Sequence, residues 1–296
     1  MKIGIYLRKE NRYSYIPILS YNEKNIEVVF IENEKDFSKT IKNENVKVLL
    51  FSFNSIIKSK IFEIAKNLKE EFNDLILIAG GPHPTARPEE CLKFFDIVVT
   101  GEGEISLSKI IDDIKNYKGK IIKGERIELN SFFPFPKTLN LISPIEITRG
   151  CIYRCGFCQT HRIFNGVTER SPENVFEAVK YLKKIGVRDI RFISSNSFGY
   201  SSKGKKINHS IIEYLLSGIK KIFKNSKIFF GTFPSEVRPD YVDEDVLKII
   251  KKFVYNRKII IGAQSGSERI LKIYKRAHSV SDILNAVYLC KKLNFE

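Results

Sequence analysis

The chain has 296 residues, 43% hydrophobic and 12% aromatic, with 50 Lys and Arg against 34 Asp and Glu, giving a formal net charge of +16. That length allows two folded domains, the apolar content excludes a disordered chain, and the lack of any run of about eighteen apolar residues excludes a helical membrane span. Lys and Glu interleave in stretches such as "EIAKNLKEEF", so the basic balance reads as a lysine-rich solvated surface rather than as a nucleic-acid footprint.

The N-terminus, "MKIGIYLRKENR", has too short an apolar run for a signal peptide and reads as a first strand. Together with an odd number of cysteines, five, this predicts a cytoplasmic chain whose thiols serve metal binding or catalysis rather than disulfides. Further strands are expected at 26–32, 46–53, 75–81 and 96–104, with helical spacing over 56–72, 87–95 and 104–117. Continuous apolar strands alternating with helices predict an α/β domain over 1–120, a doubly wound Rossmann-like parallel sheet. Ligands of such sheets bind beyond the carboxyl ends of the strands. Here those ends carry Ser52 and Asn54, then Gly80 and Gly81, then Gly101 and Gly103. Residues 121–142 hold Pro134 and Pro136 among phenylalanines, and read as a stiffened linker.

The alternation resumes over 143–296. "SPIEIT" (143–148) is a predicted strand. Ser171 is placed to cap a helix with Pro172 at its first position and Gly186 at its end. Strands are expected at 187–194, 227–234 and 258–264, and helices at 207–224, 243–252, 266–273 and 280–293. This is a run of βα units, as in a (β/α) barrel whose site lies at the C-terminal strand ends. Four such strands do not close a barrel, and "LNFE" reads as the entrance to a fifth. The expectation is a partial barrel, either a fragment or one completed by something else.

The first of these strands ends at "RGCIYRCGFCQT", where Cys151, Cys155 and Cys158 follow a C-x3-C-x2-C spacing. A 4Fe–4S cube normally takes four thiolates. Three on one loop leave an iron without a protein ligand, and an open coordination position is where a metal centre takes a substrate. The competing reading is a Cys3His zinc site completed by His161. Cys91 and Cys290 fall at apolar helical positions and read as packed thiols. His161 and His278 read as polar loop or surface residues.

The cysteine loop after the first barrel strand, with aromatic Phe157 before the last cysteine, resembles that of radical S-adenosylmethionine (radical SAM) enzymes. The resemblance implies a 4Fe–4S cluster on Cys151, Cys155 and Cys158, whose unique iron chelates the amino and carboxylate groups of SAM. One electron then cleaves SAM to methionine and a 5′-deoxyadenosyl radical. It implies an electron donor such as a ferredoxin or flavodoxin. It also implies SAM contacts from Phe157, from Ser195 and Asn196 after the second strand, and from Ser235, Glu236 and Arg238 after the third, although Glu236 and Arg238 read equally as a surface ion pair. Gln264 and Ser265 would contribute after the fourth. "ISSNSFG" departs from the Gly-Gly-Glu segment often found there.

The stretch "GGPHPTARPEECLKFFDIVVTGEGE" (80–104) is similar to the cobalamin-binding-type domain that precedes many radical SAM barrels. A corrinoid is expected at Ser52, Asn54, Gly80, Gly81, His83, Gly101, Glu102 and Gly103, facing the cluster. The Asp-x-His-x-x-Gly element that ligates cobalt is absent from "LRKENRYSYIP", so no protein histidine is expected on the metal. Bound corrinoid and a domain that has lost it are both open. The resemblance implies methyl transfer to an unactivated carbon. Two alternatives stand beside it: a methylthiotransferase-like enzyme acting on RNA, from "QSGSERILKIYKR" and the basic charge, and a non-catalytic zinc- or cluster-binding module.

Overall fold

The computed structural model describes residues 2–139, 141–204 and 206–296. The chain divides into two units, Met1–Ile127 with Phe135–Ser143, and Glu128–Pro134 with Pro144–Glu296. Among the described residues no helix is long and apolar enough to cross a membrane.

The first unit runs β1 (Lys2–Tyr6), α1 (Arg12–Asn22), β2 (Glu27–Ile31), α2 (Phe37–Asn43), β3 (Val48–Ser52), α3 (Lys58–Glu71), β4 (Ile76–Gly80), α4 (Pro82–Ala86), α5 (Pro88–Cys91), β5 (Ile97–Thr100), α6 (Glu104–Asp112), α7 (Ile114–Tyr117) and β6 (Lys120–Lys123). The six strands form one parallel sheet in the order β2-β1-β3-β4-β5-β6. All five residues of β3 are buried, as a central strand covered on both faces requires. α1 escapes the periodicity because Pro17 interrupts it, yet Tyr15, Ile16 and Leu19 are buried along it. Residues 121–123 are a correction to the expected linker. They pair with Val98–Thr100, because β5 would otherwise present an unpaired edge. The rest of that linker is shared, Glu128–Pro134 belonging to the second unit.

The second unit runs β7 (Ile145–Glu146), β8 (Thr148–Arg149), α8 (Thr160–Ile163), β9 (Thr168–Glu169), α9 (Pro172–Lys184), β10 (Asp189–Ile193), α10 (His209–Ile222), β11 (Lys227–Phe229), α11 (Glu244–Phe253), α12 (Glu268–Ile273) and α13 (Val280–Lys292). Parallel strands β11-β10-β7 form its sheet. Ser171 caps α9, its side chain accepting from Asn174 N. The buried faces of α9, α10 and α11 (Val175, Ala178, Val179, Ile212, Leu216, Ile219, Leu247 and Ile250) make the core with Ile190, Phe192, Ile228 and Phe230.

Two strand expectations change. The predicted 143–148 strand splits, and β8 turns away to pair antiparallel with β9. The predicted 258–264 strand keeps one parallel bridge, Val237 to Ile261. Just before it, the Asn256 side chain bonds the N–H and C=O of Phe230 (3.0 and 3.1 Å), and the segment itself keeps backbone bonds from Ile260 N to Gly231 O (2.8 Å) and from Val237 N to Ile260 O (2.9 Å).

Candidate functional site

The loop between β8 and α8 carries the three cysteines. All are free thiols, Cys155 buried and Cys151 and Cys158 half-buried. Burial pushes the Cys151 thiol above its ordinary range. The loop starts at Gly150, whose φ of 81° lies in the left-handed region. A Cβ there would run into the Gly166 carbonyl oxygen, so this close turn requires glycine. Ser195 Oγ donates to Gly150 O (2.6 Å), tying the end of β10 to the start of the loop. Gly156 N donates to Tyr274 O (2.9 Å), and the Phe157 ring meets Tyr274 edge-on with centroids 5.4 Å apart.

Among the described residues, no three His, Cys, Asp or Glu side chains converge as ligands of a single ion. A cube takes each thiolate on a different iron, so three free thiols on one tightly turned loop suit it.

The other residues expected around this loop fall into two groups. Glu236 and Gln264 are exposed, as is Phe157, and Gln264 holds a strained φ of 70°. Ser195 is also exposed. Asn196, Ser235 and Arg238 are buried, at 8%, 0% and 4% exposure; Asn196 and Ser235 are hydrogen-bonded within the chain, while among the described residues Arg238 Nη1 has no hydrogen-bond partner. Asn196 Oδ1 accepts from Arg238 N (3.1 Å), and Ser235 Oγ donates to Thr232 O (3.0 Å). Ser265 Oγ accepts from Ser267 N (3.1 Å).

Arg238 is held by two neighbours. Its Nε lies 2.9 Å from Asp240 Oδ1, its Nη2 donates to Asp240 Oδ2 (3.1 Å), and its guanidinium lies 3.5 Å from the centre of the Tyr153 ring. Tyr153 Oη in turn lies 3.1 Å from Tyr241 Oη. The sequence puts Arg238 and Asp240 two residues apart and Tyr153 far upstream, so only folding reveals this as one buried assembly bracing the cysteine loop.

Two further side chains escape the sequence. His278, expected at the surface, is 5% exposed; its Nε2 lies 3.1 Å from Ala263 O, and burial lowers its pKa. Arg276, whose signal was nothing more than a basic pair after α12, donates from Nη1 to Cys155 Sγ (3.3 Å) and from Nη2 to Gly262 O (2.7 Å).

In the first unit the strand ends bring Ser52, Gly80, Gly81, His83 and Gly101 together. Ser52 pairs with Gly80 across β3 and β4. Thr85 Oγ1 donates to Gly81 O (2.8 Å) and accepts from Gly101 N (3.0 Å). The strand order reverses between β1 and β3, the switch point where such sheets open a crevice. A small cleft there is lined by Arg8, Asn11, Ser52, Phe53, Asn54 and Pro82, among others. Asn11 Nδ2 spans the switch, donating to Tyr6 O (3.0 Å) and Ser52 O (3.1 Å). Arg8 and Asn11 were not expected, because the segment after β1 carries no glycine or histidine to mark a ligand edge.

Three of the expected corrinoid residues lie otherwise. His83 is 3% exposed, packed against Phe53 and Phe62, with Nδ1 2.9 Å from Ser55 Oγ. It packs as a core residue. Glu102 is 5% exposed, because Gly124 packs so closely on its backbone that a Cβ at 124 would clash. Gly103 caps α6 under the Ile18 side chain. Beside these, Arg8, Asn11, Ser52 and Asn54 line the small cleft at the switch point.

Residues 145–296 match the Radical SAM superfamily and residues 18–111 match the B12 binding domain. A putative methylthiotransferase of Methanocaldococcus jannaschii is 28% identical over 93% of this chain and 63% of its own length. A tRNA-2-methylthio-N(6)-dimethylallyladenosine synthase of Buchnera aphidicola is 24% identical over 88% of this chain and 61% of its own. The chain thus spans less than two thirds of these relatives. A solved radical S-adenosylmethionine methyltransferase, TsrM from Kitasatospora setae with cobalamin and a 4Fe–4S cluster bound, shares the fold. It superposes with a TM-score of 0.70 at 13% identity, covering 99% of this chain and 67% of that one. The chain belongs to the radical SAM superfamily and carries a B12 binding domain ahead of its radical SAM domain.

Proposed function

We propose that the chain is a radical SAM enzyme that uses a 4Fe–4S cluster on Cys151, Cys155 and Cys158 for reductive cleavage of SAM, in the service of a cobalamin-dependent methyl transfer to an unactivated carbon. The observation that carries the reading is the loop itself: three free thiols on a turn that glycine alone permits. When bound, the cluster supplies one electron to SAM and the corrinoid carries the methyl group. This chain's residues do the rest. Phe157, Ser195, Glu236 and Gln264 are the exposed candidates for holding SAM, while Arg238 braces the loop through Tyr153 and Asn196 holds the Arg238 backbone. Arg8, Asn11, Ser52, Asn54 and Gly81 would hold the corrinoid, with no histidine on cobalt. An external one-electron donor of the ferredoxin or flavodoxin class completes the requirement.

Anaerobic reconstitution should give about four irons and four sulfides per chain, and the reduced protein should release 5′-deoxyadenosine and methionine from SAM. Stoichiometric zinc without iron under iron-replete conditions would overturn the cluster assignment. Hydroxocobalamin should survive desalting, its cobalt(II) resonance lacking histidine-nitrogen splitting.

A second reading is favoured by the names of the curated relatives, transfer of a methylthio group to a tRNA adenosine. Cys91, the one cysteine of the first unit, is fully buried and burial pushes its thiol up to about 12, so that unit offers no thiolates for a second cluster. Mass analysis of tRNA incubated with the reduced protein and SAM decides between them: a methylthio increment supports the second reading.

A further inference from the structure

We infer that Arg276 is a positioning residue for the cluster and sets its reduction potential through the Cys155 thiolate; this rests on the assignment of the cluster to the three cysteines. One guanidinium holds two acceptors at once, Cys155 Sγ at 3.3 Å and Gly262 O at 2.7 Å. Cys155 is the most buried of the three cysteines, at 4% exposure. Around it the end of α12 grips the same loop through Tyr274 O and Gly156 N (2.9 Å), and the guanidinium carbon lies 6.0 Å from the centre of the Phe157 ring. Arg276 therefore joins the cysteine loop to the loop bearing Gln264 from a single fixed fork.

The chemistry follows from the donor. A guanidinium stays charged and presents parallel N–H groups that an ammonium cannot match. A charge-assisted hydrogen bond to a thiolate strengthens as electron density on sulfur rises, and it rises when the cluster is reduced. Hydrogen bonds to the sulfurs are among the factors that set cluster potentials, and burial of Cys155 amplifies this one. Arg276 thus favours the reduced cluster and makes its reduction by a one-electron donor easier. The Gly262 contact keeps the fork from swinging away.

The test is a redox titration of the reconstituted protein with dithionite, followed by the resonance of the reduced cluster, for wild type, Arg276→Lys and Arg276→Gln. Arg276→Gln removes the charge and should lower the reduced fraction at a fixed potential roughly tenfold, a shift of about 59 mV downward for a one-electron couple. Arg276→Lys keeps the charge without the fork and should fall between. Iron content and near-ultraviolet circular dichroism establish that the variants are folded and loaded. If Arg276→Gln sheds iron while folded, the positioning role is supported and Arg276→Lys carries the titration. An unchanged or raised potential in a fully loaded variant overturns the inference. A wild type that takes up no four-iron cluster instead overturns the cluster assignment beneath it.

Discussion

Replacing Arg238 by methionine separates a bracing residue from a SAM ligand. Arg238 and Asp240 expose 5% and 8% of their side chains and approach to 2.9 Å. At an effective dielectric constant near 20 their attraction is about 6 kcal/mol. Removing both ions from water costs several kcal/mol each, so the intact pair contributes little net stability. Arg238→Met removes the attraction and leaves the Asp240 carboxylate buried. Its nearest remaining partners are Tyr153 Oη at 3.4 Å and His278 Nδ1 at 4.0 Å, and burial keeps that imidazole from charging readily. The stacking on Tyr153 is also lost. The expected cost is about 3–5 kcal/mol of stability in the second unit. The double variant Arg238→Met/Asp240→Leu should recover most of it, because neither charge is then stranded. Urea unfolding of the metal-free protein, followed by circular dichroism, measures both. A loss below about 1 kcal/mol in the single variant, the range of an exposed pair, would refute the bracing role. So would a double variant as unstable as the single one. A selective loss of SAM affinity at unchanged stability would return Arg238 to the SAM site.

Gly150→Ala puts a Cβ against the Gly166 carbonyl at a φ of 81°; left-handed strain of about 1–2 kcal/mol and the backbone clash should together lower iron per chain well below wild type, measured by iron and sulfide assay after identical reconstitution. His83 is held neutral, burial lowering its pKa against the opposing Glu90 carboxylate and with the help of Lys58 and Arg87. Its folded-state pKa therefore lies below the unfolded value near 6.5, and the unfolded chain binds the extra proton. The contribution is whole above about pH 6.5 and is lost as the pH falls toward the folded-state value. Urea midpoints of the first unit should drop across that window, and His83→Phe should flatten the profile.

Where chemistry is local, it was legible in the amino-acid order. The C-x3-C-x2-C spacing, the strand–helix alternation of both halves and the Ser171 cap each depend on residues a few positions apart, so spacing alone displays them. The missing histidine after β1 was equally plain. What the order of residues could not display was what each side chain meets. Arg238 stands at a strand end, where a SAM contact and an ion pair were both open, and folding places it beside Asp240 and Tyr153, where a buried charge meets the nearest opposite one. Glu102, expected beside a corrinoid in a glycine-rich run, is covered by Gly124, part of an expected linker. The strand expected at 258–264 keeps a single bridge, Val237 to Ile261, while the Asn256 side chain just before it bonds the backbone of Phe230. Arg276 reaches Cys155 across 121 positions. Contacts of that separation are fixed by packing the whole unit, which no local pattern encodes; the sequence by itself determined the chemistry of the loop, and the tertiary structure decided which residues hold it.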